Sequence, residues 1–175
     1  DHERLCRLAD YVIEHHFPEI DAADPARCGV WFAEVARRMA VLMAHWLRVG
    51  FVHGVMNTDN LSILGLTIDY GPFGWLDVFD PGFTPNTTDR EGRYAYAQQP
   101  GVALWNLQRL AEALAPLFDR RSAEAVAGTL DGFAGVFAGD WKRQALAKIG
   151  LAGGDGGEDE LAARLLGILT MTEVD

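Results

Sequence analysis

The sequence predicts a mainly α-helical domain with one small β-hairpin set into its middle. Three observations carry that reading. Trp31, Val35, Met39, Leu42, Trp46 and Val49 recur in steps of three and four, the apolar stripe of one long helix over about 26–49. Leu104, Leu107, Ala111, Leu114 and Phe118 repeat the spacing further on. Between them, "LSIL" and "LTI" are short β-capable runs separated by Gly65, which read as a hairpin over about 61–68.

The other elements follow in order. Leu5, Leu8 and Val12 have helical spacing, and Pro18 and Pro25 break the pattern. Gly50 closes the long helix in the left-handed conformation common at that position. Residues 81–100 contain three prolines and two glycines, a polar loop of a length that tends to be functional or mobile. Helix returns near Val102, and two further stretches fit 122–137 and 140–151. "GGDGGEDE" has no Lys-Ser/Thr of a phosphate loop and reads as a flexible acidic connection before a last helix near 161–171.

Composition narrows the function classes. The 175 residues suit a single domain. With 25 acidic against 15 basic residues, the net charge of −10 opposes nucleic acid and anionic membrane over most of the surface. Cys6 and Cys28 form no CxxC and no Cys/His cluster, against structural zinc or a disulfide scaffold. No signal peptide and no membrane span is legible, so the expected setting is the cytoplasm, in a bacterium given the Ala/Gly/Arg-rich composition. The start at Asp1 in mid-helix pattern reads as a piece of something longer.

The unusual segment is "HGVMNTDNLSILGLTIDYGPFGWLD". Its order is long helix, His-x6-Asn, short strands, Asp-Tyr-Gly. That is also the order of a protein-kinase C-lobe, with His53–Asn60 over the catalytic loop and Asp69–Gly71 over DFG. Holding Mg²⁺ against phosphates takes hard oxygens, here one carboxylate and one amide. A hairpin between Asn60 and Asp69 would bring the two to the same end of the strands, with Gly71 allowing a sharp turn. Val55 falls where kinases place the Asp that receives the substrate proton, and it cannot do that work. This disfavours a phosphotransferase acting on a small molecule.

"GFVHGVMNTDNLSILGLTIDYGPFGWLDVFDP" with "GRYAYAQQPGVALWNLQRLAEAL" resembles the selenoprotein O (SelO) family of pseudokinases over essentially the whole of Gly50–Leu114. The resemblance implies a kinase-like C-lobe over 1–175, with the N-lobe outside the chain. It implies a protein adenylyltransferase that moves AMP from ATP to Ser, Thr or Tyr hydroxyls of proteins. By the same resemblance Asp59 is the general base, Asn60 and Asp69 ligate Mg²⁺ (or Mn²⁺), and Asp69 adjoins the ATP phosphates. The upstream glycine-rich strands, lysine and arginines of the family have no counterpart here. The loop after DYG lacks the cysteine that many members carry, against redox gating through that loop. A catalytically inactive pseudokinase scaffold is the rival from another class.

Plainer roles apply elsewhere. His53 reads as a structural residue bonded to loop backbone rather than a base. His15 and His16 read as surface residues, and Trp31 and Trp46 as core. Arg90 and Arg93 suit either a protein substrate or phosphate, or ion pairs within the loop. Asn86 opens a glycosylation sequon that has no meaning in the cytoplasm.

Overall fold

The helix of residues Arg27–Val49 carries much of the core, and the two long helices and the short strand that follow it pack on it. The computed structural model describes residues 2–151, 157–169 and 171. In order these form α1 (His2–His16), α2 (Arg27–Val49), β1 (Phe51–Val52), β2 (Gly74–Trp75), α3 (Gln99–Leu114), α4 (Arg120–Lys148) and α5 (Gly157–Leu169), with three short 3-10 turns between. The mainly α character is as the sequence predicts.

Along α2 the residues Trp31, Phe32, Val35, Ala36, Met39, Ala40, Met43 and Trp46 are buried, so the predicted stripe is the core face. Val49, its last member, is 48% exposed at the helix end. Gly50 caps α2 at φ 72°, donating its amide toward Leu47 O and Trp46 O, a conformation that costs glycine little. Phe17, Phe32 and Met43 have no exposed surface, and burial of such a side chain contributes about 1.5–3 kcal/mol. The ring edges of Trp31 on Phe17 and of Phe118 on Phe32 tie the flanking segments to α2.

α4 packs along α2. Its first turn is fixed by Asp119, whose carboxylate accepts from Ser122 N at 2.7 Å. The sequence pattern suggests two helices here, yet α4 continues unbroken from Arg120 to Lys148. Gly128, Gly132, Gly135 and Gly139 meet no neighbouring atom where a Cβ would stand. They weaken helix propensity by roughly 1 kcal/mol each, and burial of Val126, Phe133 and Leu146 outweighs that loss.

α1 is helical as predicted, with a rotated face. Ala9 and Ile13 are buried while Leu8 is 59% exposed. At the other end, residues 157–160 of the expected flexible connection are the first turn of α5. The rest of that connection, 153–156, lies outside the described residues.

The expected hairpin over 61–68 does not form. The two-stranded antiparallel sheet lies outside it, pairing Phe51 with Trp75 and Val52 with Gly74. Residues 62–65 instead make a single turn, with Gly65 N donating to Ser62 O at 3.1 Å. Leu61, Ile63 and Leu64 pack against the core around α2, which leaves no alternating strand face. Gly65, at φ 69°, presses on α2 so closely that a Cβ would stand 2.9 Å from Arg38 Cβ. The carbonyl of Ile68, which a ladder would use, is taken by the His53 side chain, and the Trp46 indole donates to Thr67 Oγ1.

Candidate active site

The segment that follows β1 is held by two carboxamides from α3. Gln99 is fully buried. Its Nε2 donates to Phe51 O at 2.9 Å, and its Oε1 accepts from His53 N at 3.0 Å. Two turns along the same helix face, Asn106 Nδ2 donates to Met56 O at 3.0 Å and Val102 O at 2.9 Å. Phe51 O, His53 N and Met56 O are thereby bonded to side chains rather than to a neighbouring strand, as buried polar groups require.

His53 is 1% exposed. Its Nε2 donates to Ile68 O at 2.8 Å, so the hydrogen sits on that nitrogen and Nδ1 is left as the acceptor, 3.4 Å from Val55 N. The ring lies at 5.4 Å and 28° to the indole of Trp46. This is the structural role expected from the sequence. It also fastens the chain just before Asp69 to the loop that carries Asn60.

The two segments touch a second time at Gly54. A Cβ there would stand 2.6 Å from Pro72 O, and its φ is 81°, so only glycine fits. The sharp backbone turn expected at Gly71 falls instead on Asp69. Asp69 has φ 57° and is the one non-glycine residue with positive φ among those described. A short polar side chain tolerates that region best. Gly71 N donates to Asp69 O at 2.8 Å.

Residues Thr58–Asn60 form a 3-10 turn after Asn57. Asn60 Nδ2 donates to Val55 O at 3.1 Å, which turns its Oδ1 away as a free acceptor. The side chains of Asp59 and Asp69 are exposed, with no ion pair or side-chain hydrogen bond to any described residue. A hard divalent cation prefers such oxygen donors, so the donor set of Asn60 Oδ1 and the Asp69 carboxylate fits Mg²⁺. Among the described residues no three His, Cys, Asp or Glu side chains form a metal cluster.

The loop over 81–100 is strapped onto this site. Asn86 Nδ2 donates to Gly54 O at 3.0 Å, and Tyr94 OH donates to Asn57 Oδ1 at 2.7 Å. Tyr96 N bonds Phe83 O, and Tyr96 OH donates to Leu47 O at 2.6 Å. Burial pushes the Tyr96 phenol up to about 12. Cys6 and Cys28 are both free thiols, and burial raises the Cys28 thiol further.

Sequence reasoning missed Gln99, Asn106 and Asn86. The first two had a signal. They lie seven residues apart on the face that also carries Ala103 and Leu107, and a carboxamide on an apolar helix face has to bond something buried. Asn86 had none beyond its tolerance of turns.

Residues 1–175 match the family model described as protein adenylyltransferase SelO. The chain belongs to that family. A protein nucleotidyltransferase YdiU from Cronobacter sakazakii is 51% identical over 95% of this chain and 34% of its own length. Proteins of the same name from Aromatoleum aromaticum and Nitrosospira multiformis are 49% and 51% identical over 100% and 99% of the chain. The chain thus spans about a third of the length of these SelO relatives. No helix among the described residues is long and apolar enough to cross a membrane.

Proposed function

We propose that this chain is the kinase-like C-lobe of a SelO protein adenylyltransferase, and that the whole protein transfers AMP from ATP to hydroxyl groups of proteins. The observation that carries this reading is the state of residues 55–60. Val55 leaves the usual kinase position without a base. Asp59, exposed and unpaired, stands next to Asn60, whose amide is held by Val55 O.

Asp59 takes the proton from the acceptor hydroxyl as that oxygen attacks the α-phosphorus, and the bond from the α-phosphorus to the α,β-bridging oxygen breaks to release pyrophosphate. Asn60 Oδ1 and the Asp69 carboxylate would hold Mg²⁺, which would screen the phosphate charge. His53 fixes the chain before Asp69 and Gly54 keeps the two segments in contact, so the donors are positioned before ligand arrives. Tyr70, Phe73 and Trp75 form an aromatic cluster with Phe51. They are 58%, 37% and 55% exposed. The expected setting is the bacterial cytoplasm.

The test uses the full-length protein with ATP labelled at the α-phosphate and, separately, at the γ-phosphate. Label entering protein only from the α position is the expected result. Label only from γ makes it a kinase, and none from either, with Mg-ATP still bound, makes it an inactive scaffold.

A further inference from the structure

A group of side chains beside the site has no part in the chemistry above. Trp105, on α3, is 39% exposed. The guanidinium of Arg93 lies 4.8 Å from its ring centroid and that of Arg109 lies 5.4 Å away. Arg93 is also 5.7 Å from the ring of Tyr94. Cation–π contacts orient a guanidinium while its N–H edge stays available for a carboxylate.

The charges around the indole are unequally used. Arg109 is paired with Glu112 at 2.6 Å. Arg93 and Arg90 are exposed and have no carboxylate partner among the described residues. The neighbouring Asp89 turns its carboxylate inward, accepting from the backbone N–H of Arg93 at 3.0 Å and of Tyr94 at 2.8 Å. Glu91 is the other acid on this loop, and it is exposed. In a chain of net charge −10, Arg93 is a guanidinium unpaired among the described residues and set against an exposed indole, and Arg90 is exposed on the same loop.

The shelf also has an address. Tyr94 OH bonds Asn57 Oδ1 at 2.7 Å, and Asn57 precedes the turn that carries Asp59. It therefore borders the loop on the side of Asn57, whereas Asp69 joins that loop through His53 and Ile68.

We infer that Arg93, with Trp105 as a platform, docks an acidic residue of the acceptor polypeptide beside the hydroxyl presented to Asp59. The inference rests on the reading of the site as one of AMP transfer to proteins. Planar guanidinium groups match Asp and Glu carboxylates in pairs of hydrogen bonds, and the indole accepts an apolar neighbour on the same segment. The net negative charge elsewhere disfavours nucleic acid, which carries the same anionic chemistry.

The experiment measures fluorescence anisotropy of short labelled peptides on the full-length protein. Each peptide has one Ser flanked by Glu, by Gln or by Lys. The Glu peptide is expected to bind about tenfold or more tighter than the Gln peptide, with the difference shrinking as salt rises. Arg93→Glu should abolish that preference, and Trp105→Ala should reduce it. With the Glu peptide as acceptor, Arg93→Glu should raise KM by a similar factor while kcat and Mg-ATP affinity hold. Equal binding of the three peptides overturns the inference. So does a preference that survives Arg93→Glu, an Arg93→Glu loss that falls on Mg-ATP instead, or Arg93-dependent binding of a single-stranded oligonucleotide tighter than the Glu peptide. The anisotropy needs no transfer, so a protein that moves no AMP can still show the shelf. Transfer without acid preference removes only the shelf.

Discussion

The segments on either side of the site are held in different ways. From Phe51 to Met56 the backbone is clamped by buried carboxamides, and His53 lies between them with no free nitrogen. From Asp69 to Trp75 the chain carries exposed side chains on strained or lightly supported backbone. The first region spends its polar groups on rigidity, so its residues position others. The second leaves its carboxylate and aromatic faces open, so its residues are free to meet ligand and protein. Substitutions should separate the two, costing stability in one and activity in the other.

The largest expected effect is at Asp59. In the full-length protein Asp59→Ala should lower turnover by about 10²–10⁴-fold, the usual worth of a general base, and leave Mg-ATP affinity nearly unchanged. Asp69→Ala should weaken both. Calorimetry with Mg-ATP beside turnover assays checks the split, and loss of Mg-ATP binding in Asp59→Ala would make Asp59 a metal-site residue.

Gln99→Ala comes next. It leaves Phe51 O and His53 N buried without partners, each worth about 1–3 kcal/mol, and urea unfolding should show a loss of about 2–4 kcal/mol. A loss below about 1 kcal/mol would mean that the segment is not clamped as described.

Glu34 supplies a control away from both regions. Arg37, then Arg38, hold its carboxyl down at about 2, against some opposition from burial. A depressed carboxylate stabilises the fold above its unfolded value of 4.5, and that stability is lost as pH falls from there through about 2. Glu34→Gln should cost about 1 kcal/mol at neutral pH, since Arg37 is over half exposed. Its unfolding curve should merge with that of the parent near pH 2. A gap that stays constant from neutral to acid would rule out the ion pairs as the cause.

The smallest effect on stability is the most discriminating. Asp69→Gly relieves a left-handed conformation, so stability should stay level or rise by up to about 1 kcal/mol, while AMP transfer is lost. A fall in melting temperature would show that Asp69 supports the fold as well as the chemistry.

Long amphipathic helices were legible because one periodicity and one cap decide them: α2 runs where its stripe and Gly50 place it. The hairpin was misread because "LSIL" and "LTI" show apolar residues without saying what they pack on. Their partner is α2, more than twenty residues earlier, and proximity along the chain gave no hint of it. Glycines misled in α4, where propensity argues for a break and packing on α2 overrides it. Within the site, Asp59, Asn60 and Asp69 stood out through resemblance, and Gly54 only through the backbone it touches. The residues that carry the framework, Gln99 and Asn106, needed the question of where a buried amide finds its partners.

The clamp at Gln99 joins residues 46 and 48 positions apart, and this sets an order of events during synthesis. At about 5–20 residues per second, some 2–9 s separate the emergence of His53 from that of Gln99. Through that interval the loop is made but has no template, and closing so long a span carries the entropy of a non-local contact. The ordered geometry of this loop is therefore a late property of the nascent chain, acquired when α3 arrives rather than when Asp59, Asn60 and Asp69 do.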